Sequence, residues 1–251
     1  MEKAIEIREC TTLEQMAECV ELQREVFALP EIEVSPVRHF VITRNAGGFV
    51  LGAYDGDRLA GFVLSVPAFM RGRRAFYSHM TGVRPEYQSH GIGARLKWAQ
   101  RERALSEGVK YIKWTFEPVK ARNAYFNLEK LGAIVAEYQA NFYGTDYATA
   151  PEQSGRRIGL ASDRLFAEWH LESEKVTALA ERREFSEGRE PTVKIEIMND
   201  FLALVAQDAE AALSEQVRIR GEFQAALARG LTVRGFRRDD TRPVFLLYEN
   251  P

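Results

Sequence analysis

The residues most able to do chemistry form one segment, Val83-Arg84-Pro85-Glu86-Tyr87-Gln88-Ser89-His90-Gly91-Ile92-Gly93-Ala94-Arg95-Leu96, between a predicted strand and a predicted helix. Its kernel, Gln88-x-x-Gly91-x-Gly93-Ala94, opens the helix. The first N–H groups of a helix lack partners and carry partial positive charge, so they form a ready site for a phosphate. Glycines let a backbone come close to such a group and adopt positive φ. A pyrophosphate needs several N–H donors around one concavity, and Ser89, His90, Gly91, Ile92, Gly93 and Ala94 supply them in sequence. A glycine-rich turn that merely caps a helix is the plainer alternative. The strand-loop-helix setting, the leading Gln88 and the small residue that follows argue against it.

The elements that must hold this loop can be read from the pattern. Ala4–Arg8 is a predicted strand, followed by a helix with Thr11 or Thr12 at its N-cap and Glu14 or Gln15 completing a capping box. Met16, Val20, Leu22 and Val26 give that helix its apolar spacing, and Pro30 stops it. A short second helix follows Ser35-Pro36. Gly48–Tyr54, Leu59–Phe69 and Ala75–Val83 form an antiparallel meander, with a tight turn at Asp55-Gly56-Asp57. The motif helix, Gly91–Ser106, carries Ile92, Leu96 and Ala99 on one stripe. Then come strand Tyr111–Phe116, helix Ala121–Leu131 closed by Gly132, and strand Ile134–Tyr143. Tyr147–Ser162 reads as a loop, Leu165–Leu171 as a strand and Glu181–Pro191 as a linker. The remainder reads as strand Val193–Ile197, a long helix near Ala209–Ala228 with Leu213, Val217, Phe223 and Leu227 on its apolar side, and strands Leu231–Phe236 and Val244–Tyr248.

The loop, in this order of elements, resembles the acyl-CoA signature Q/R-x-x-G-x-G/A of the GNAT acyltransferase superfamily. The stretch Arg122-Asn123-Ala124-Tyr125-Phe126-Asn127-Leu128-Glu129-Lys130-Leu131-Gly132-Ala133 is similar to the family's second characteristic helix. Trp114-Thr115-Phe116-Glu117-Pro118, Asn141-Phe142-Tyr143-Gly144 and Asp163-Arg164-Leu165 resemble a sub-group that carries a C-terminal extension. The resemblance covers somewhat more than half of the chain. It implies an α/β (α+β) GNAT fold, with a mixed, mostly antiparallel central sheet flanked by helices and a C-terminal strand-helix-strand-strand extension. It divides the chain into an acyltransferase domain, residues 1–173, and an extension, residues 174–251, that packs on the core or on a dimer partner. It implies acyl-CoA as co-substrate (acetyl-CoA or succinyl-CoA), a small-molecule amine such as an amino acid as acceptor, and a backbone contact from Val83 to the pantetheine arm or the thioester carbonyl. One departure stands out. Many family members place a tyrosine four residues before the glycine of the second helix, as the acid for the departing thiolate, and here Leu128 holds that position. A non-catalytic acyl-CoA sensor is therefore the alternative reading.

Transfer to an amine needs a base, a polarised carbonyl and a route for the proton. His79 and Thr81 share a face with Val83 if the strand alternates regularly, which makes His79 a candidate base. Glu117, at the end of the next strand, is a second candidate base, and Tyr143 a candidate acid. Each has a plainer reading, as a core histidine, a surface acid before proline and a packing aromatic. Asn123 either caps its helix or contacts the co-substrate. His90 lies in the loop, where its backbone N–H matters more than its ring, and His39 and His170 carry no constellation. Arg71, Arg73, Arg74 and Arg164 are candidate partners for a substrate carboxylate, with a solvated hairpin turn as the plainer reading of the first three.

Composition bounds the rest. With 251 residues, 45% of them hydrophobic, the chain can bury a proper core. Its net charge of −2 gives no electrostatic footprint for nucleic acid. No apolar run approaches the ~20 residues of a membrane span. Cys10 and Cys19 lack metal-ligand spacing, no metal is expected, and two cysteines suit a reduced, cytoplasmic protein.

Overall fold

The computed structural model describes residues 5–27, 29–144 and 159–250. The predicted loop at Tyr147–Ser162 therefore lies outside the described residues up to position 158. Two compact units meet in sequence between Lys113 and Trp114, inside a strand.

The first unit holds β1 (Ile5–Glu9), α1 (Leu13–Phe27), α2 (Val37–Asn45), β2 (Phe49–Asp55), β3 (Arg58–Met70), β4 (Arg73–Val83), α3 (Ile92–Ser106) and the start of β5 (Tyr111–Phe116). Strands β1 to β4 pair antiparallel in chain order, and β4 pairs parallel with β5 at Phe76↔Ile112 and Tyr77↔Lys113. On its β3 side β4 stays paired through Val83, far past the residues that meet β5.

The capping box expected for α1 is formed in both directions. The Gln15 N–H donates to Thr12 Oγ1 (3.3 Å), while Gln15 Oε1 accepts from the N–H groups of Thr11 (2.7 Å) and Thr12 (3.1 Å). Helices α1 and α2 cover one sheet face through Met16, Leu22 and Phe40 against Val50, Phe62 and Leu64. Helix α3 covers the other and does not carry the expected apolar stripe. Lys97 and Gln100 are buried beside Ile92 and Leu96, whereas Ala99 is only half-buried. Lys97 Nζ donates to Ser78 Oγ (2.9 Å), and Gln100 Nε2 to Ser65 Oγ (2.7 Å) and Ser78 Oγ (3.1 Å). These bonds satisfy polar groups that would otherwise be costly to bury, and they fix the helix that carries the glycine loop.

The second unit holds the end of β5, α4 (Ala121–Tyr125) continued by a widened turn at Phe126–Lys130, β6 (Ile134–Gln139), β7 (Arg164–His170), α5 (Glu174–Ala180), β8 (Val193–Glu196), α6 (Phe201–Gln207), α7 (Ala209–Ala228), β9 (Thr232–Arg237) and β10 (Val244–Tyr248). Its strand order is β7-β6-β9-β10-β8, and each neighbouring pair in it is antiparallel. Strand β6 stops at Gln139 and not at Tyr143, because Asn141 adopts φ +51° and its N–H is captured by Asp163 Oδ1 at 2.9 Å. Elements on both sides of position 173, among them β6, β7, α7 and β9, fall in this one unit. Helix α7 buries Ala212, Gln216, Ile219, Phe223 and Ala226. Leu213 and Val217, expected on the packed side, are about half-exposed. Helices α5 and α6 are additions to the predicted set, capped by Ser173 and Asp200. Among the described residues no helix is long and apolar enough to cross a membrane.

Candidate active site

The glycine loop follows β4 through a single helical turn at Pro85–Tyr87. Gln88 folds its side chain back, and Nε2 donates to the Val83 carbonyl at 3.0 Å, tying the loop to the strand it leaves. Ser89 (φ +65°) and Gly91 (φ +75°) then take left-handed backbone. At Gly91 a Cβ would meet nothing within 4 Å, so conformation rather than space calls for glycine there. A non-glycine at positive φ is strained, and Ser89 stores such strain beside the helix start. No side chain caps α3 at Gly91, and the first helical bond is Arg95 N–H to Gly91 O at 3.0 Å. The N–H groups of Ile92, Gly93 and Ala94 thus lie in the uncapped first turn. Ser89, His90 and Gly91 are exposed, and His90 Nδ1 sits 2.7 Å from the Gln88 carbonyl, turning its ring back on the loop. An open cradle of this kind fits a pyrophosphate.

His79 is placed by a feature that regular alternation misses. Between Leu64↔Met80 and Ser65↔Ser78 the β3–β4 register shifts, and His79 is the extra residue of the bulge. Its imidazole turns to the α2 side, 5.2 Å from the His39 ring centre, with Nε2 3.5 Å from Ser35 Oγ. Val83 Cγ2 instead lies with Leu96 of α3 beside Gly61. His79 and Val83 therefore do not share a face, contrary to expectation. Burial, and secondarily the charge of His39, lower the His79 pKa to about 4. The residue nevertheless keeps an exposed surface. That solvent access limits the size of the change, while its direction follows from ring crowding: the imidazole is neutral at pH 7. His39, unremarkable in sequence, is the neighbour that the fold supplies.

In the second unit Glu117, Asn123 and Tyr143 gather around Arg164. Glu117 Oε1 lies 2.8 Å from both Lys120 Nζ and Arg164 Nη1. Asn123 Nδ2 approaches Glu117 Oε2 at 3.5 Å, and the Arg164 guanidinium lies over the Tyr143 ring at 5.2 Å. Burial alone would raise the Glu117 carboxyl, but Lys120 and Arg164 outweigh it and hold the pKa at about 2. Glu117 is thus a permanent anion and a weak base. Tyr143 keeps 54% of its surface exposed, and its N–H donates to Ser162 Oγ at 2.7 Å. Leu128 is wholly buried in the core of this unit, so nothing there donates a proton. Arg74 pairs with Glu107 (3.5 Å), and Arg71 and Arg73 reach the Tyr111 ring at 5.9 and 5.2 Å, which agrees with a hairpin turn at these residues.

The sheet and the glycine loop define the GNAT fold, the scaffold of acyl-CoA-dependent transferases. Residues 13–133, 121 of the 251 in the chain, match the Acetyltransferase (GNAT) family. No curated protein matches it in sequence. Among solved structures, a GNAT-family protein from Desulfovibrio desulfuricans superposes with a TM-score of 0.54 at 14% identity, covering 67% of this chain and 99% of that one. The NatC complex bound to Gag peptide and CoA gives 0.51 at 18% identity, over 66% of this chain and 98% of its own. The ribosomal-protein-S18-alanine N-acetyltransferase from Escherichia coli gives 0.50 at 15%, over 74% and 98%. At such identities the likeness is one of fold.

Proposed function

We propose that the chain moves an acyl group, acetyl or a larger one such as succinyl, from acyl-CoA to the amine of a small molecule of the amino-acid class. The observation that carries this reading is the uncapped first turn of α3 behind the left-handed Ser89 and Gly91. That turn holds the pyrophosphate, and Gln88 fixes its distance from β4. The neutral amine attacks the thioester carbonyl, the C–N bond forms, the C–S bond breaks and CoA leaves as thiolate. His79, neutral at pH 7, takes the proton from the attacking nitrogen. A thiolate of pKa near ~8.5 leaves without a proton donor. Glu117 acts as an anchor for Arg164 and Lys120, not as the base. The Trp114–Pro118 and Asn141–Gly144 motifs favour the sub-group with an extension. Its two free cysteines suit a cytoplasmic setting.

A sensor that binds acyl-CoA without turnover is the second reading, favoured by the buried Leu128. Release of free thiol from acetyl-CoA and succinyl-CoA, measured across amino acids, polyamines and a basic peptide, separates the two. A transferase releases thiol with one amine class. A sensor binds both thioesters and releases none.

A further inference from the structure

Helix α1 buries an amide on its packed side. Gln23 is 1% exposed and lies with Cys19, Val20 and Leu22 among the buried residues of that helix. A buried amide needs a partner at each end. Gln23 finds both on one residue: Oε1 accepts the Ser35 N–H at 2.9 Å, and Nε2 donates to the Ser35 carbonyl at 3.1 Å. Ser35 precedes Pro36, and a residue before proline is biased to extended backbone, outside the helix that follows. Its main-chain groups therefore lack helical partners, and the amide serves both.

The same clamp sets the start of α2. Pro36 is the N-cap residue, and the His39 N–H donates to the Pro36 carbonyl at 2.8 Å in the first turn. Phe40, wholly buried with its ring 5.9 Å from that of Phe62, seats this turn on β3. Ser35 and His39 both reach His79. Ser35 Oγ is 3.5 Å from Nε2, and the His39 ring stands edge-on at 5.2 Å, with 71° between the ring planes. Helix α1 and strand β3 border this side with Leu22, Phe62 and Leu64. Among the described residues His39 is the one ionisable side chain whose charge reaches the His79 ring.

A serine hydroxyl can accept from a ring N–H or donate to a ring lone pair. In the second arrangement Nδ1 carries the proton, and the Nε2 lone pair is already engaged. In the first, Nδ1 is free to receive a proton. We propose that Ser35 and His39 are positioning residues for His79: Ser35 holds the Nε2–H so that the Nδ1 lone pair serves the acceptor amine, and His39 packs the ring in place and, when protonated, repels a second positive charge beside it. The proposal rests on the acyl-transfer reading above, with His79 as base. The proton passes from the attacking nitrogen to Nδ1 and then to solvent, to which His79 is open. The Nε2–H stays on Ser35 throughout, so the hydroxyl serves the neutral and the charged ring without moving.

The test uses the full-length protein, with steady-state acyl transfer and histidine ring NMR measured on the same variants. Ser35→Ala should lower kcat by about tenfold, part of the roughly 10²–10⁴ that a placed base contributes. The KM for acetyl-CoA should stay within about twofold, since the hydroxyl serves the proton and not the co-substrate. Ser35→Thr keeps the hydroxyl and should restore most of the rate. The neutral His79 ring should carry its proton on Nε2 in wild type and in Ser35→Thr, and mix tautomers in Ser35→Ala. His39→Asn should move the acidic limb of kcat/KM, and the NMR titration of His79, up from about 4 toward the ordinary 6.5, which a merely structural role would not do. Wild-type rates in Ser35→Ala and His39→Asn, with the limb where it was, overturn the proposal and leave the transferase reading standing. A proton on Nδ1 of the neutral wild-type ring overturns the role of Ser35. Absence of turnover in wild type, with the NMR pattern intact, overturns the acyl-transfer reading and with it the use of this ring as a base.

Discussion

Replacing Glu117 by Gln separates an ion-paired anchor from a catalytic base. In the folded chain one carboxylate oxygen stands 2.8 Å from both Lys120 and Arg164, and the Glu117 and Arg164 side chains keep only 18% and 14% of their surface exposed. A carboxyl moved from 4.5 to about 2 is worth roughly 3 kcal/mol, at about 1.4 kcal/mol per pKa unit. Removing one partner of a buried pair costs about 3–5 kcal/mol, because the other charge is left uncompensated. Lys120 is 33% exposed and water takes up part of that loss, so about 2–3 kcal/mol is expected. The folded pKa lies below the unfolded one, so this stability is present above about 4.5 and is lost as the pH falls toward about 2. Urea unfolding of wild type and Glu117→Gln should therefore differ by about 2–3 kcal/mol at pH 7, with the gap closing between pH 5 and pH 2.5. The acidic limb of the pH–rate profile should stay where it is. A gap that is independent of pH, or a variant as stable as wild type at pH 7, would refute the reasoning. An acidic limb that vanishes in the variant would return Glu117 to the role of base.

Other outcomes follow from the same geometry. His79→Ala should lower kcat/KM at pH 7 by at least about tenfold, and the wild-type acidic limb should fall toward pH 4, since the ring loses its proton only above its folded pKa; an unchanged rate excludes His79 as base. Gly91→Val should weaken acetyl-CoA binding at least about tenfold in calorimetry, because a β-branched residue resists the φ of +75° that shapes the loop. Gln15→Ala should cost about 1 kcal/mol in thermal or urea unfolding, with no effect on acetyl-CoA affinity, because its side chain caps only α1.

What the sequence disclosed was local. The α1 capping box needs only Thr11, Thr12 and Gln15, and the loop needs only Gln88 to Ala94, so spacing along the chain suffices for both. The meander followed from alternation and turn residues, up to the point where alternation failed. The bulge at His79 adds one residue to β4, and a single insertion reverses the side that the imidazole faces. No nearby signal marks it, because it depends on how Ser65 and Ser78 meet across the ladder. The stripe of α7 was misread for a related reason. Apolar spacing selects Leu213 and Val217, while packing selects Ala212 and Gln216, a small residue and an amide with a partner at Ala161. Glu117 and Lys120 are neighbours three positions apart, but Arg164 joins them from a distant part of the chain, which spacing cannot reveal. Helix α6 is too short to show a period of its own, with the Asp200 cap as its one local mark.

The most direct measurement of the central claim is thiol release from acetyl-CoA by wild type and Gly91→Val, with mass detection of the N-acylated product. Wild type should release one thiol for each N-acyl amino acid formed, and Gly91→Val should require at least about tenfold more acetyl-CoA for the same rate. Wild type that binds acetyl-CoA through this loop yet acylates no amine would contradict the transferase claim, and wild type that does not bind it would remove the phosphate-binding role of the loop.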